Sequence, residues 1–361
     1  MPESTTSPQS SLRMTHDAGL KTHFLLFFLA FSIILGSGYN TYLHYDYGYA
    51  IDSKTYMAIA KGDFKDQSAT RRYRVIVPFM AAAVAWPISK VYAKIWPQRS
   101  ADEWPLRLSF FLINCILTAI AAVFIFYFCR QYGASAISSF IGMVAVLASS
   151  WTNYTIGLPM TDSLYLLVIA LTMYGIKAKD PRALIIAIFI GPFAKESFVF
   201  IAPIIFFWGC IPKWKQVIYF ILSGAIVFGA RYLIDQQTGS AYSSSMMNAF
   251  DHTDNFGYSL MRVFSIHGIG EMFTIMGTFT FLMLAGFFGS KIERKNVLGF
   301  IDWPCIALFI ALIIHAILSV EVARMLFFGA PVWALFLAMV LDKHKWFGGY
   351  RRLFGIEIRN L

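Results

Sequence analysis

Long apolar runs separated by short polar turns make up most of this chain. Segment 24–38 has no charged residue, and segment 106–128 has Arg107 alone. At about 1.5 Å per helical residue, runs of this kind form helices of membrane-crossing length. Apolar and polar positions do not alternate along them, so a porin-type barrel is excluded. The pattern therefore predicts an all-α, polytopic transmembrane helical bundle. About ten spans are expected, near 22–38, 106–128, 134–150, 163–176, 183–193, 197–208, 216–233, 271–289, 297–319 and 322–341. Segments 183–193 and 197–208 are short for a full crossing. They predict a thin hairpin with Lys195-Glu196 at its tip.

Segment 75–96 is apolar but punctuated by Pro78 and Pro87, with Lys90 and Lys94 following. If it crossed the membrane, the basic loops 177–182, 213–215 and 291–295 would all face outward. So would Lys343, Lys345, Arg351 and Arg352, against the positive-inside rule. The segment is thus expected to be a re-entrant or interfacial helix pair in the first outer loop, 39–105. A second large outer loop is expected over 234–270, with both termini cytoplasmic. Residues 1–21 predict a disordered tail, 22–342 one transmembrane domain, and 343–361 a basic tail. The first apolar run lies far from the start and no Ala-x-Ala site follows it, so it is expected to be an uncleaved span.

Composition agrees with a membrane protein. Of 361 residues, 58% are apolar and 14% charged, where a soluble domain carries about 25% charge. The net charge of +10 reflects basic residues flanking spans, and nucleic acid is not an expected partner. The first outer loop breaks the basic-inside bias, which calls for a local reason such as an anionic ligand. Cys115, Cys129, Cys210 and Cys305 form no Cys-x-x-Cys pair and are expected as small apolar fillers. No phosphate-cradling glycine loop, Gly-x-Ser-x-Gly or His-Glu-x-x-His occurs.

The longest polar interval, 45–78, holds the candidate chemistry. On a helix, Asp52, Tyr56 and Ile59 share a face. A carboxylate so placed can act as general base on an incoming hydroxyl, or it can simply cap the helix. Arg71, Arg72 and Arg74 suit a phosphate at the membrane surface, or ordinary anionic headgroups. Asp162 closes the next outer loop, with Thr161 as a rival cap. Lys195 and Glu196 could pair with each other, as could Arg231 with Asp235 one turn on. Arg324 lies near Glu321 at the same outer level. Asp251-His252-Thr253-Asp254 is read as a solvated loop rather than a metal site.

Asp52, Tyr56, Ala60 and Gly62 form an Asp-x-x-x-Tyr-x-x-x-Ala-x-Gly pattern, followed by Arg72, Arg74 and Pro78. This arrangement resembles the integral-membrane glycosyltransferases of the GT-C superfamily that use polyprenyl-phosphate sugars. Asp162 in the next outer loop, the charged pair Lys195-Glu196 and a later large outer loop fit the same layout. The resemblance implies inverting transfer with Asp52 as base. It implies a donor phosphate held by Arg71, Arg72, Arg74, Lys195 and Arg324. Asp46, Tyr56, Asp162, Glu196 and Arg231 would support the cavity. The expected partners are a polyprenyl-phosphate-linked sugar donor and membrane lipids, in a bacterial inner membrane. Many relatives carry two adjacent acids where this chain has Asp52-Ser53, so a divalent metal is compatible with the family but no ligand set is assigned. The rival classes are a transporter or flippase of an anionic lipid or polyprenyl phosphate, and a non-catalytic envelope-assembly protein.

Overall fold

A computed structural model describes residues 16–45, 50–65, 67–239, 255–319 and 321–356. Among them the chain is 80% helix with no strand. The first part of the chain holds α1 (His16–His44), α2 (Ile51–Ala60), α3 (Ala69–Arg72) and α4 (Ile76–Ile95). The middle comprises α5 (Glu103–Gln131), α6 (Ala136–Leu147), α7 (Ser150–Gly157), α8 (Asp162–Ala178), α9 (Pro181–Ala194), α10 (Phe198–Trp208) and α11 (Lys213–Thr238). The last third is more broken. It contains α12 (Asn255–Val263), α13 (Ile266–Phe273), α14 (Phe279–Leu284), α15 (Lys291–Leu298), α16 (Trp303–Ile317), α17 (Val322–Phe327), α18 (Ala330–Lys343) and α19 (Gly348–Leu353).

Helices α5, α8 and α18 form the centre. Nearly every side chain of α8 up to Met173 is buried, as is α18 from Ala330 to Leu341 apart from Trp333. Helices α1, α4, α6 and α9 pack around this centre. Small residues make the closest approaches. A Cβ on Gly142 of α6 would stand 2.6 Å from the Ala334 carbonyl of α18, and one on Gly157 of α7 would stand 2.6 Å from Thr41 of α1. Close backbone contact of this kind is how helices associate where water supplies no driving force. The outermost long helix is α11. Only 17% of its most apolar window is buried, against 67% for α5.

Four helices are long and apolar enough to cross a membrane: Lys21–His44, Ile76–Ile95, Glu103–Gln131 and Lys213–Thr238. Two bent pairs, α6 with α7 at 55° and α15 with α16 at 82°, raise the number to six if each pair is one span. Several expected elements differ. Segment 75–96 is not a helix pair but one 20-residue helix. Pro78 sits in its first turn, where an N–H has no intrahelical partner to lose, and Pro87 is absorbed in its interior.

The expected span 271–289 is broken into α13, α14 and a 3₁₀ turn at Ala285–Phe287. Gly277, at φ +53°, ends the run after α13, a left-handed conformation that side-chain-bearing residues avoid. The expected span 297–319 turns at Gly299, and Asp302 caps α16 by accepting from the Cys305 N–H at 3.4 Å. The span 322–341 breaks at Gly329, over which the Trp333 indole N–H donates to the Leu326 carbonyl at 3.0 Å. The outer loop 151–162 is largely helical as α7.

Both expected tails carry structure. Helix α1 begins at His16. At the other end α19 folds back: Tyr350 meets the Ser138 hydroxyl at 2.8 Å, and Arg351 donates to the His344 carbonyl at 2.6 Å.

Candidate functional site

The polar residues singled out in sequence converge on one cluster, contributed by five separate segments. Helix α2 presents the buried face Ser53, Tyr56, Met57 and Ile59 to the bundle. Its N-cap is Ala50, with no side-chain cap, so Asp52 does not serve as the capping residue. Instead the Asp52 carboxylate meets a guanidinium on each oxygen: Arg71 on Oδ1, and Arg324 on Oδ2 at 3.2 Å. The Asp52 side chain remains 16% exposed. A carboxylate oxygen has about two lone-pair sites, so each keeps room for one further donor.

Arg324, on the short α17, is the hub. Nη1 reaches both Asp52 and Glu321, and Nη2 reaches Asp162. Its side chain is 4% exposed. Asp162 opens α8 without being capped by Thr161, and its other oxygen accepts from Lys195 Nζ at 3.2 Å. Lys195 also meets Met325 Sδ at 3.5 Å and lies 4.8 Å from the Phe328 ring. Glu196 does not pair with Lys195. It receives Arg74 through Nη2 at 2.6 Å and Nε at 3.0 Å, while Arg74 Nη1 donates to the Tyr56 hydroxyl at 2.8 Å.

The cluster therefore joins four cations (Arg71, Arg74, Lys195, Arg324) to four carboxylates (Asp52, Asp162, Glu196, Glu321). It is balanced in charge. Burial of charge on this scale holds only when every member is paired. Lys195, in the loop between α9 and α10, shows the strain of burial. Desolvation and the neighbouring Arg324 and Arg74 outweigh the attraction of Asp162, and its ammonium is pushed down to about 8.

A second group stands beside the first. Arg72 turns to α11, where Nη1 meets Asp235 at 3.3 Å, while Nη2 donates to the Gln67 carbonyl at 2.8 Å. The Tyr73 hydroxyl donates to both Asp235 oxygens at 2.7 and 2.9 Å. Burial, with this hydrogen bond, pushes Tyr73 up to about 12. Arg231 does not pair with Asp235. It lies over the Tyr73 ring at 4.7 Å.

Thus the structure gathers Asp52, Arg71, Arg74, Asp162, Lys195, Glu196 and Arg324, with Tyr56 beneath them, and sets Arg72 and Arg231 in the adjoining group. Asp46 and the segment 251–254 lie outside the described residues. Met325 and Tyr165, whose ring lies 5.7 Å from Lys195 Nζ, join the cluster without any sequence signal beyond their proximity to charged residues. Among the described residues, no group of three or more His, Cys, Asp or Glu is placed to hold a metal ion.

No known protein family, characterised protein or solved structure matches this chain.

Proposed function

We propose that the chain is a membrane glycosyltransferase moving a sugar from a polyprenyl-phosphate donor to an acceptor, with Asp52 as general base. The observation that carries this reading is the Asp52 carboxylate itself. It is partly exposed, held on both oxygens by guanidinium groups, and set at the edge of a buried cation cluster. In this reaction Asp52 takes the proton of the acceptor hydroxyl. The hydroxyl oxygen bonds to the anomeric carbon with inversion, and the bond from that carbon to the phosphate oxygen breaks. The departing phosphate gains charge that a nearby guanidinium offsets. Arg71, the most exposed cation of the cluster at 33%, is the group best placed to turn from Asp52 to that phosphate. In doing so it frees Oδ1.

An apolar groove of about 400 Å³ lies between α10 and α11, lined by Val199, Ala202, Pro203, Phe206, Phe207 and Phe220. The groove lies along α10, which starts two residues after Glu196, and its apolar lining suits a prenyl chain. The basic loops 177–182, 213–215 and 291–295 favour an arrangement with this cluster on the outer face and both termini cytoplasmic. Ten crossings then require the shorter helices, such as α9 and α10, to traverse a locally thin region.

Purified wild-type and Asp52→Asn proteins, supplied with polyprenyl-phosphate sugars, test the reading through released polyprenyl phosphate. The variant is expected to turn over about 10²–10⁴ times more slowly, the range of a lost general base. Equal turnover removes Asp52 from the role. Translocation of the lipid without a glycosidic product selects the transporter reading instead.

A further inference from the structure

We infer that Arg231, Arg72 and Tyr73 form a second anion site, which takes the phosphate of a membrane lipid at the end of α11. The inference stands on a difference in charge. The Asp52 cluster balances four cations with four carboxylates. The adjoining group has two guanidinium groups, Arg72 and Arg231, and one carboxylate, Asp235. Asp235 is already committed, accepting from Arg72 and twice from Tyr73. Among the described residues, one positive charge is left over.

The geometry says where it acts. The Nε–H groups of Arg72 and Arg231 are both buried with no acceptor among the described residues. Buried donors without partners call for an explanation. An anion drawn to this pair of guanidinium groups gives one, since phosphate oxygens accept from guanidinium N–H groups more strongly than neutral acceptors do. Tyr73 sets the spacing: its ring carries Arg231 and its hydroxyl fixes Asp235.

The surroundings favour a phosphate borne by a lipid over a free one. Arg231 sits on the most exposed of the long apolar helices, and its neighbours Phe228, Tyr232 and Leu233 are all more than half exposed. Aliphatic chains can lie along that face while the headgroup reaches the arginines. Basic side chains at a membrane surface are the usual means of holding anionic headgroups. The inference does not depend on the glycosyltransferase reading.

Native mass spectrometry of the detergent-purified full chain, titrated with phosphatidylglycerol, tests the site. Diacylglycerol and inorganic phosphate serve as the other probes. The wild type is expected to retain one phosphatidylglycerol that Arg231→Gln binds about tenfold more weakly. Arg231→Lys should stay within a few-fold of wild type, and Asp52→Asn should bind normally. The wild-type affinity should also fall as salt rises, because the contact is charged. Unchanged affinity in Arg231→Gln, equal retention of diacylglycerol, or insensitivity to salt each overturns the proposal. Displacement by equimolar inorganic phosphate would assign the site to a free anion and overturn the lipid source. The salt titration needs no variant, so a misfolded Arg231→Gln cannot decide the matter.

Discussion

At the scale of single residues, Lys195 carries a charge that responds to accessible pH. Its ordinary value near 10.5 falls to about 8 in the folded protein. Between those values the unfolded chain holds a proton that the folded chain has released. Folding stability therefore rises with pH across that window, and below about 8 the full cost of burying the charge remains. Activity should move in the opposite sense. Above about pH 8 Lys195 is neutral, Asp162 keeps Arg324 alone, and the cluster loses one of its four cations. Turnover is expected to fall on the alkaline side with a midpoint near 8, and Lys195→Arg to remove that limb. A pH–rate profile of both proteins checks this, and an alkaline limb unchanged in the variant would refute it. The candidates at this scale were visible in the sequence because lone charges inside apolar runs stand out. Their partners were not. Asp52 and Arg324 are 272 positions apart, and neighbours in sequence misled: Lys195 and Glu196 pair away from each other, as do Arg231 and Asp235.

At the scale of elements, contact between α6 and α18 depends on Gly142, whose missing side chain lets the Ala334 carbonyl approach. Gly142→Ala must push two backbones apart and is expected to cost about 1–3 kcal/mol, the usual penalty of overpacking. Gly224 on the exposed α11 has nothing within 4 Å, so Gly224→Ala should be neutral or slightly stabilising through helix propensity. Thermal unfolding midpoints in detergent compare the two; equal shifts would show that the close approach carries no weight. Periodicity and run length revealed α1, α5, α8 and α11 closely. They failed where an apolar run is interrupted by conformation rather than composition. Gly277 lies in the turn between α13 and α14, and Gly329 starts α18, inside runs that read as continuous, while Pro78 and Pro87, which read as breaks, sit within one helix.

At the scale of the whole molecule, the all-helical class follows directly from the hydropathy of the chain. The number of crossings does not, because bent and short helices can each count as a span or as part of one. Orientation is tested by a single exposed position. Lys61 follows the last residue of α2, the helix that carries Asp52 and Tyr56, and is exposed. In a Cys210→Ser background, which removes the one exposed native thiol among the described residues, Lys61→Cys should react with an impermeant maleimide on intact cells. Labelling only after permeabilisation would place the cluster on the inner side.

The hub position of Arg324 also has a consequence for how the molecule is made. Asp52 and Asp162 are synthesised early, yet the guanidinium they share arrives 272 and 162 residues after them. Until then the growing chain holds two carboxylates in an apolar setting without their common partner. The site cannot be assembled progressively from its N-terminal part. It closes when the last helices dock, so a ribosome that stops before α17 leaves a chain whose polar centre is unfinished.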